Sequence, residues 1–163
     1  MENLEMKLTE EQLRTRNAHF LKDDIREFDA PFFGMSPAEA GGLDPQQRGL
    51  LETTYHAIED ANIPMEKLAG TKTSVHVGSF SNDFMTFTQR DVQYMPKYNA
   101  TGCSQSLLSN RISWFYDLRG TSLTLDTACS SGLVALDLAC RELWSGQADT
   151  VSRVLCFSMV VDR

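Results

Sequence analysis

At 163 residues the chain is long enough for one domain with a sizeable core and too short for two full ones. Its 42% hydrophobic and 23% charged residues are those of an ordinary globular protein, which excludes a disordered or fibrous class. A net charge of -7 argues against nucleic acid or an anionic membrane surface as a partner, and no apolar run approaches the roughly 18 residues of a membrane span.

Residues 1–15 form a polar segment in which Leu4, Leu8 and Leu13 are only loosely spaced, suited to a solvated helical turn or to disorder. The start is polar rather than signal-like, so a cytoplasmic location is expected. Phe28, Phe32 and Phe33 then cluster around Pro31 and read as core. Ser36-Pro37-Ala38-Glu39 supplies cap, N1 proline and N3 glutamate for a short helix stopped by Gly41-Gly42. Asp44-Pro45-Gln46-Gln47 repeats that logic and opens a longer helix, which buries Leu51, Tyr55 and Ile58 and ends near Asn62-Ile63-Pro64. Arg48 sits in its first turn, where the helix dipole disfavours a cation; it either meets a buried carboxylate or interface group, or stays solvated. His56, on the same helix, reads as surface or packing.

Thr73-Ser74-Val75-His76-Val77-Gly78 alternates as a strand, with His76 opposite the valine face, where a structural histidine tucked under a neighbouring helix is expected. Residues 79–98, including Asp83, Phe84, Met85, Phe87, Tyr94 and Met95, have weak periodicity and read as a long irregular segment. From Ser104 to Asp117, Leu108, Ile112 and Phe115 recur at helical spacing, closing at Arg119-Gly120. A strand over Thr121–Leu125 then turns sharply through Asp126-Thr127-Ala128-Cys129-Ser130-Ser131-Gly132 into a helix that is apolar nearly all round and so expected to be central. That helix carries an Asp137–Arg141 pair and stops at Ser145-Gly146; the tail from Val151 is β-prone.

The four cysteines, Cys103, Cys129, Cys140 and Cys156, show neither CxxC spacing nor the density of a disulfide framework, so free thiols and no metal site are expected. Cys129 stands apart because the turn places it at a helix N-terminus, where unpaired N–H groups favour negative charge on sulfur and make a thiol a better nucleophile. The residues alone leave two readings open, a nucleophile or a small buried hydrophobe.

The run DTACSSGLVALDLA closely resembles the active-site segment of β-ketoacyl synthases, in particular the ketosynthase domain of iterative, fungal-type polyketide synthases. The resemblance also takes in Phe28-Asp29-Ala30-Pro31-Phe32-Phe33, Leu43-Asp44-Pro45-Gln46-Gln47-Arg48 with Leu51-Glu52, and Asn110-Arg111-Ile112-Ser113 with Asp117-Leu118, in the family's order. Gly132 stands where the family usually has a third serine, and the apolar strand with which ketosynthases begin is absent. On this basis the chain divides into the polar segment 1–15, an incomplete ketosynthase N-terminal-type domain over 16–150, and a divergent tail over 151–163 of the kind a truncated reading of a longer gene leaves.

The resemblance implies an α/β, partial thiolase-like fold: most of the N-terminal half, without its first central strand or the C-terminal half. The neighbours of that missing strand are expected to carry unpaired backbone. It implies that Cys129 accepts an acyl chain from a carrier-protein or coenzyme A thioester, with its backbone N–H as half of an oxyanion hole, before decarboxylative condensation with a malonyl-type extender. The thioesters are substrates; no bound cofactor is implied. The implied partners are an acyl carrier protein domain and a second ketosynthase, its own copy or a full-length synthase, paired through the strand before Cys129. The family's two catalytic histidines cannot be assigned, because His19, His56 and His76 all precede Cys129 in segments that match neither histidine motif. The alternative is a non-catalytic dimerising remnant. A cysteine hydrolase, which needs a histidine and an orienting group, is disfavoured by the flanking matches.

Overall fold

The computed structural model describes residues 24–155 apart from 92, 94 and 149, and of 151–155 the backbone alone. The polar segment 1–15, Tyr94, Cys156 and the rest of the tail therefore lie outside the described residues.

The alternating run reads out as β1 (Thr73–Gly78), which pairs in parallel with β2 (Ser122–Leu125) on one side and β3 (Thr150–Leu155) on the other, giving the order β2-β1-β3. Val75 stands opposite Ser122 and Thr73 opposite Thr150. The chain steps from β1 to β2 and then crosses back past β1 to β3. Parallel crossovers are right-handed, so these opposite steps put their helices on opposite faces of the sheet. Side-chain alternation agrees. Val75 and Val77 join a core with Leu50 and Leu51 of α2 (Pro45–Asp60) and Leu108 and Ile112 of α6 (Ser106–Phe115). His76 faces α7 (Ser131–Trp144) on the other side.

The helix boundaries follow from their caps. Ser36 Oγ accepts the Glu39 N–H at 3.2 Å to open α1 (Pro37–Gly42), and Asp44 Oδ1 accepts the Gln46 N–H at 2.8 Å to open α2. Asn62, at φ +52°, turns the chain away beyond α2. Gln47 joins the pieces: its Nε2 donates to the Gly102 carbonyl at 2.8 Å, and its Oε1 accepts from Arg111 Nε at 2.9 Å. Arg111 Nη1 in turn donates to Glu39 Oε1 at 2.9 Å, so one polar seam binds α1, α2 and α6. Gly102 ends up against Gly42, with no room for a Cβ between the two backbones.

Several expectations change. The segment expected to be irregular contains a helix, α4 (Asp83–Thr88), which buries no residue and so leaves no periodic trace in the sequence. Two further short helices, α3 (Met65–Leu68) and α5 (Asn99–Cys103), were likewise unmarked by periodicity. α6 stops at Phe115 rather than Asp117, because Asp117 adopts φ +50°. In the aromatic cluster Phe33 is buried and stacked on Phe28 with centroids 5.1 Å apart, whereas Phe32 is exposed and packs edge-on to Tyr55.

The unpaired backbone expected within the sheet is not there among the described residues. β1 is paired along both edges, with β3, which runs into the divergent tail, filling the place beside it; β2 and β3 have one partner each. α7 packs on β1 and β3 through the small residues Ser131, Ala135 and Ala139. It is not central in this structure: Leu133 is 71% and Trp144 82% exposed, because only one layer covers the helix. Among the described residues no helix is long and apolar enough to cross a membrane.

Candidate active site

The turn between β2 and α7 is held by its own side chains. Ala128 has φ +52°, the left-handed conformation that costs a residue with a Cβ roughly 1–2 kcal/mol. Asp126 Oδ1 accepts the Ala128 N–H at 2.9 Å. The buried Ser131 hydroxyl bonds both sides of the same residue: it accepts the Thr127 N–H at 2.8 Å and donates to the Ala128 carbonyl at 2.7 Å. Ser130 Oγ donates to the Thr127 carbonyl at 2.6 Å and so is not available to cap the helix. At the end of β1, Gly78 presses against this turn: a Cβ there would lie 2.8 Å from both Cβ and the carbonyl carbon of Ser131. The last residue of the central strand thus sets how deep the first residue of α7 can sit.

Cys129 follows the strained Ala128 and immediately precedes Ser130, the N-cap of α7, and it is exposed. The expected sharp strand-to-helix turn is present, with the helix beginning just after the cysteine rather than at it. The other described cysteines are also free but less accessible. Cys103 is buried and donates to Asn99 Oδ1 at 3.0 Å, and burial pushes its thiol pKa up; Cys140 is half-buried on α7. Cys156 lies outside the described residues. Among the described residues no group of three or more His, Cys, Asp or Glu side chains could hold a metal ion.

The histidines sit elsewhere. His56 is exposed on α2. His76 is fully buried between β1 and α7, its Nε2 3.3 Å from Glu142 Oε2, a Coulombic contact out of line for a hydrogen bond. Burial of Glu142 works to raise its pKa, but Ser74, Thr121 and His76 around the carboxylate outweigh it and hold the group below the ordinary glutamate value. The pair therefore ties the nucleophile-bearing helix to the central strand and takes no part in the turn.

Arg48 is half-buried. Desolvation lowers its pKa, while the carboxylates of Asp44 and Glu52 act in the other direction, so of the two readings open in the sequence the carboxylate neighbour is the one found. With Asp29, Glu52 and His56 it lines a cleft of about 570 Å³ between the 24–29 segment and α2, to which no residue of the Cys129 turn contributes. The most capacious cleft and the most reactive geometry are in different places.

Gly78, Ser131 and Glu142 were missed as supports of the site. Gly78 was visible as a strand-ending glycine, but nothing local says what approaches it. Ser131 reads as merely small until the fold returns its hydroxyl to Ala128.

Residues 4–151 match the model of the β-ketoacyl synthase N-terminal domain. The chain belongs to the β-ketoacyl synthase family. This ketosynthase segment is 54% identical over 138 residues to the reducing polyketide synthase pksF of Alternaria solani, covering 84% of this chain and 6% of that protein. It is 50% identical over 149 residues to the highly reducing polyketide synthase Preu1 of Preussia isomera, covering 91% of this chain and again 6% of the relative. Among solved structures it resembles the ketosynthase from module 6 of the Bacillus subtilis 168 bacillaene synthase, at 35% identity and a TM-score of 0.67, over 79% of this chain and 21% of that one. It likewise resembles the oxazolomycin ketosynthase domain OzmH KS7 of Streptomyces albus JA3453, at 36% identity and a TM-score of 0.72, over 79% of this chain and 23% of the other. The described α/β sheet is thus part of the N-terminal half of a ketosynthase fold, as the sequence led one to expect. The chain spans about 6% of the length of the curated relatives it matches.

Proposed function

We propose that Cys129 is the acyl acceptor of a polyketide-type ketosynthase. The observation that supports this reading best is an exposed thiol on a turn held by a left-handed Ala128, just before the N-cap of α7, within a segment that matches the family. In the step proposed, the Cys129 sulfur attacks the carbonyl carbon of an acyl thioester of a phosphopantetheine-bearing carrier protein or of coenzyme A. A new C–S bond forms, the bond to the carrier sulfur breaks, and the departing thiolate takes up a proton. The Cys129 backbone N–H serves as one donor to the developing oxyanion.

Condensation with a malonyl-type extender needs histidines and a second oxyanion donor that cannot be assigned among these 163 residues, so the chemistry of this chain alone ends at the acyl-enzyme. The carrier protein is the proposed substrate-delivering partner. The proposed ketosynthase partner pairs along β2, which has a single strand partner among the described residues. Intact-mass spectrometry after incubation with an acyl thioester tests the reading. A single acyl adduct, absent from Cys129→Ala, is the expected result; a folded chain that takes up no acyl group would overturn it.

The second reading is a non-catalytic dimerising remnant, favoured by the open edge of β2 and the exposed Leu133 and Trp144 on α7. It expects co-purification with a full-length synthase and no acyl adduct.

A further inference from the structure

We infer that Ser131 is the positioning residue of the Cys129 turn: its hydroxyl, by bonding both sides of Ala128, holds the left-handed backbone that presents the thiol. This rests on the reading of Cys129 as a nucleophile. Three observations converge on the one side chain. Ala128 adopts φ +52° without being glycine, a conformation that Ala disfavours and that must be maintained from outside. Ser131 Oγ is the only atom among the described residues that bonds both the Thr127 N–H, at 2.8 Å, and the Ala128 carbonyl, at 2.7 Å; it accepts one bond and donates the other, so a methyl group could replace neither. Ser131 is itself immobilised: it is 4% exposed and stands against Gly78, where the central strand leaves no space for it to retreat.

Asp126 is a weaker support. Its carboxylate fixes the Ala128 N–H at 2.9 Å but is exposed, and it touches only the entry side of the residue. Ser130 bonds Thr127 alone and leaves the Ala128 torsion unconstrained. The neighbouring hydroxyls of the Ser130-Ser131 pair therefore have different jobs, and the buried one decides whether the thiol is displayed.

The test compares three forms of the full chain, the natural sequence, Ser131→Ala, and Ser131→Ala combined with Ala128→Gly, by the rate at which iodoacetamide alkylates Cys129, followed at the peptide level. Losing the clamp should slow alkylation by about tenfold, the population cost of leaving Ala unaided in the left-handed region. Glycine at 128 needs no such aid, so the double variant should recover to within roughly threefold of the natural rate. A structural role for Ser131 in stability alone would not be rescued by Ala128→Gly. Equal rates for the natural chain and Ser131→Ala, or a double variant no faster than Ser131→Ala, would overturn the proposal.

Should Ser131→Ala fail to fold, amide hydrogen exchange in the natural chain decides: the Thr127 amide, on an exposed residue, is expected to be protected, and exchange at the rate of a free amide would overturn the proposal. Alkylation does not depend on acyl transfer. A chain that alkylates and rescues as described but takes up no acyl group would refute the acyl-acceptor reading and leave the positioning role standing.

Discussion

α2 and α7 lie on opposite sides of one short sheet, and they are finished to different degrees. α2 is enclosed: Leu51 has no exposed surface, Leu50 and Thr54 are buried beside it, and α6 with the phenylalanine cluster closes the layer. α7 touches the sheet through serine and alanine and turns Leu133, Leu143 and Trp144 outward. The difference separates what holds this chain together from what displays its chemistry. The α2–α6 face is a core in its own right, whereas α7, which carries Cys129 at its head, is anchored by close approach and a few polar contacts.

The sharpest way to break that comparison is at its two leucines. Leu51→Ala should destabilise the chain by about 2–5 kcal/mol in urea unfolding, the range for a leucine removed from a packed core. Leu133→Ala, at the other extreme, should fall within about 0.5 kcal/mol of the natural chain. Equal losses at the two sites would mean that the outer face of α7 is covered in solution, by a second copy for example, and the unfinished layer would be a misreading.

Between these extremes lies Gly78→Ala. The added Cβ would meet Ser131 at 2.8 Å in backbone and side chain alike, so overpacking should destabilise the chain by about 1–3 kcal/mol and slow Cys129 alkylation at the same time. A loss of stability with no loss of thiol reactivity would uncouple the strand end from the turn.

The carboxylate under α7 gives a smaller effect with a defined sign. The pKa of Glu142 is lowered in the folded chain, so the stability it contributes is fully present above the ordinary value of 4.5 and is lost as pH falls through its lowered value. Asp44 at the head of α2 is the opposite case: burial raises its pKa, with the Gln46 N–H and Arg48 opposing, so acidification relieves a cost there. The stability difference between the natural chain and Glu142→Gln isolates the first effect. It should be largest near about pH 7 and shrink on acidification below the ordinary glutamate range; a difference independent of pH would remove Glu142 from the anchoring of α7.

Much of the enclosed side is legible in the sequence, because its signals are local. Ser36-Pro37 and Asp44-Pro45 state where α1 and α2 begin, and the alternation of β1 separates Val75 and Val77 from His76. Cys129 is legible from the strand-turn-helix pattern and the family resemblance together. What escapes depends on contacts distant in sequence. The hydroxyl of Ser131 matters because it folds back on Ala128 against Gly78, and Glu142 matters because α7 lays it over His76. The apolar composition of α7 suggested a buried helix, but composition reports what a helix is suited to pack against, not which layers the chain supplies. α4 left no trace because a helix that buries nothing needs no periodicity.

The central claim is that the turn displays Cys129, and not the chain's other sulfurs, for acyl transfer. Peptide-level mass spectrometry over a time course with a short acyl thioester tests it directly, since Cys129, Cys140 and Cys103 are exposed, half-buried and buried in turn. The expected result is early acylation confined to the peptide containing Cys129. Acylation that reaches Cys140 or Cys103 as fast, in a chain shown to be folded, would contradict the account.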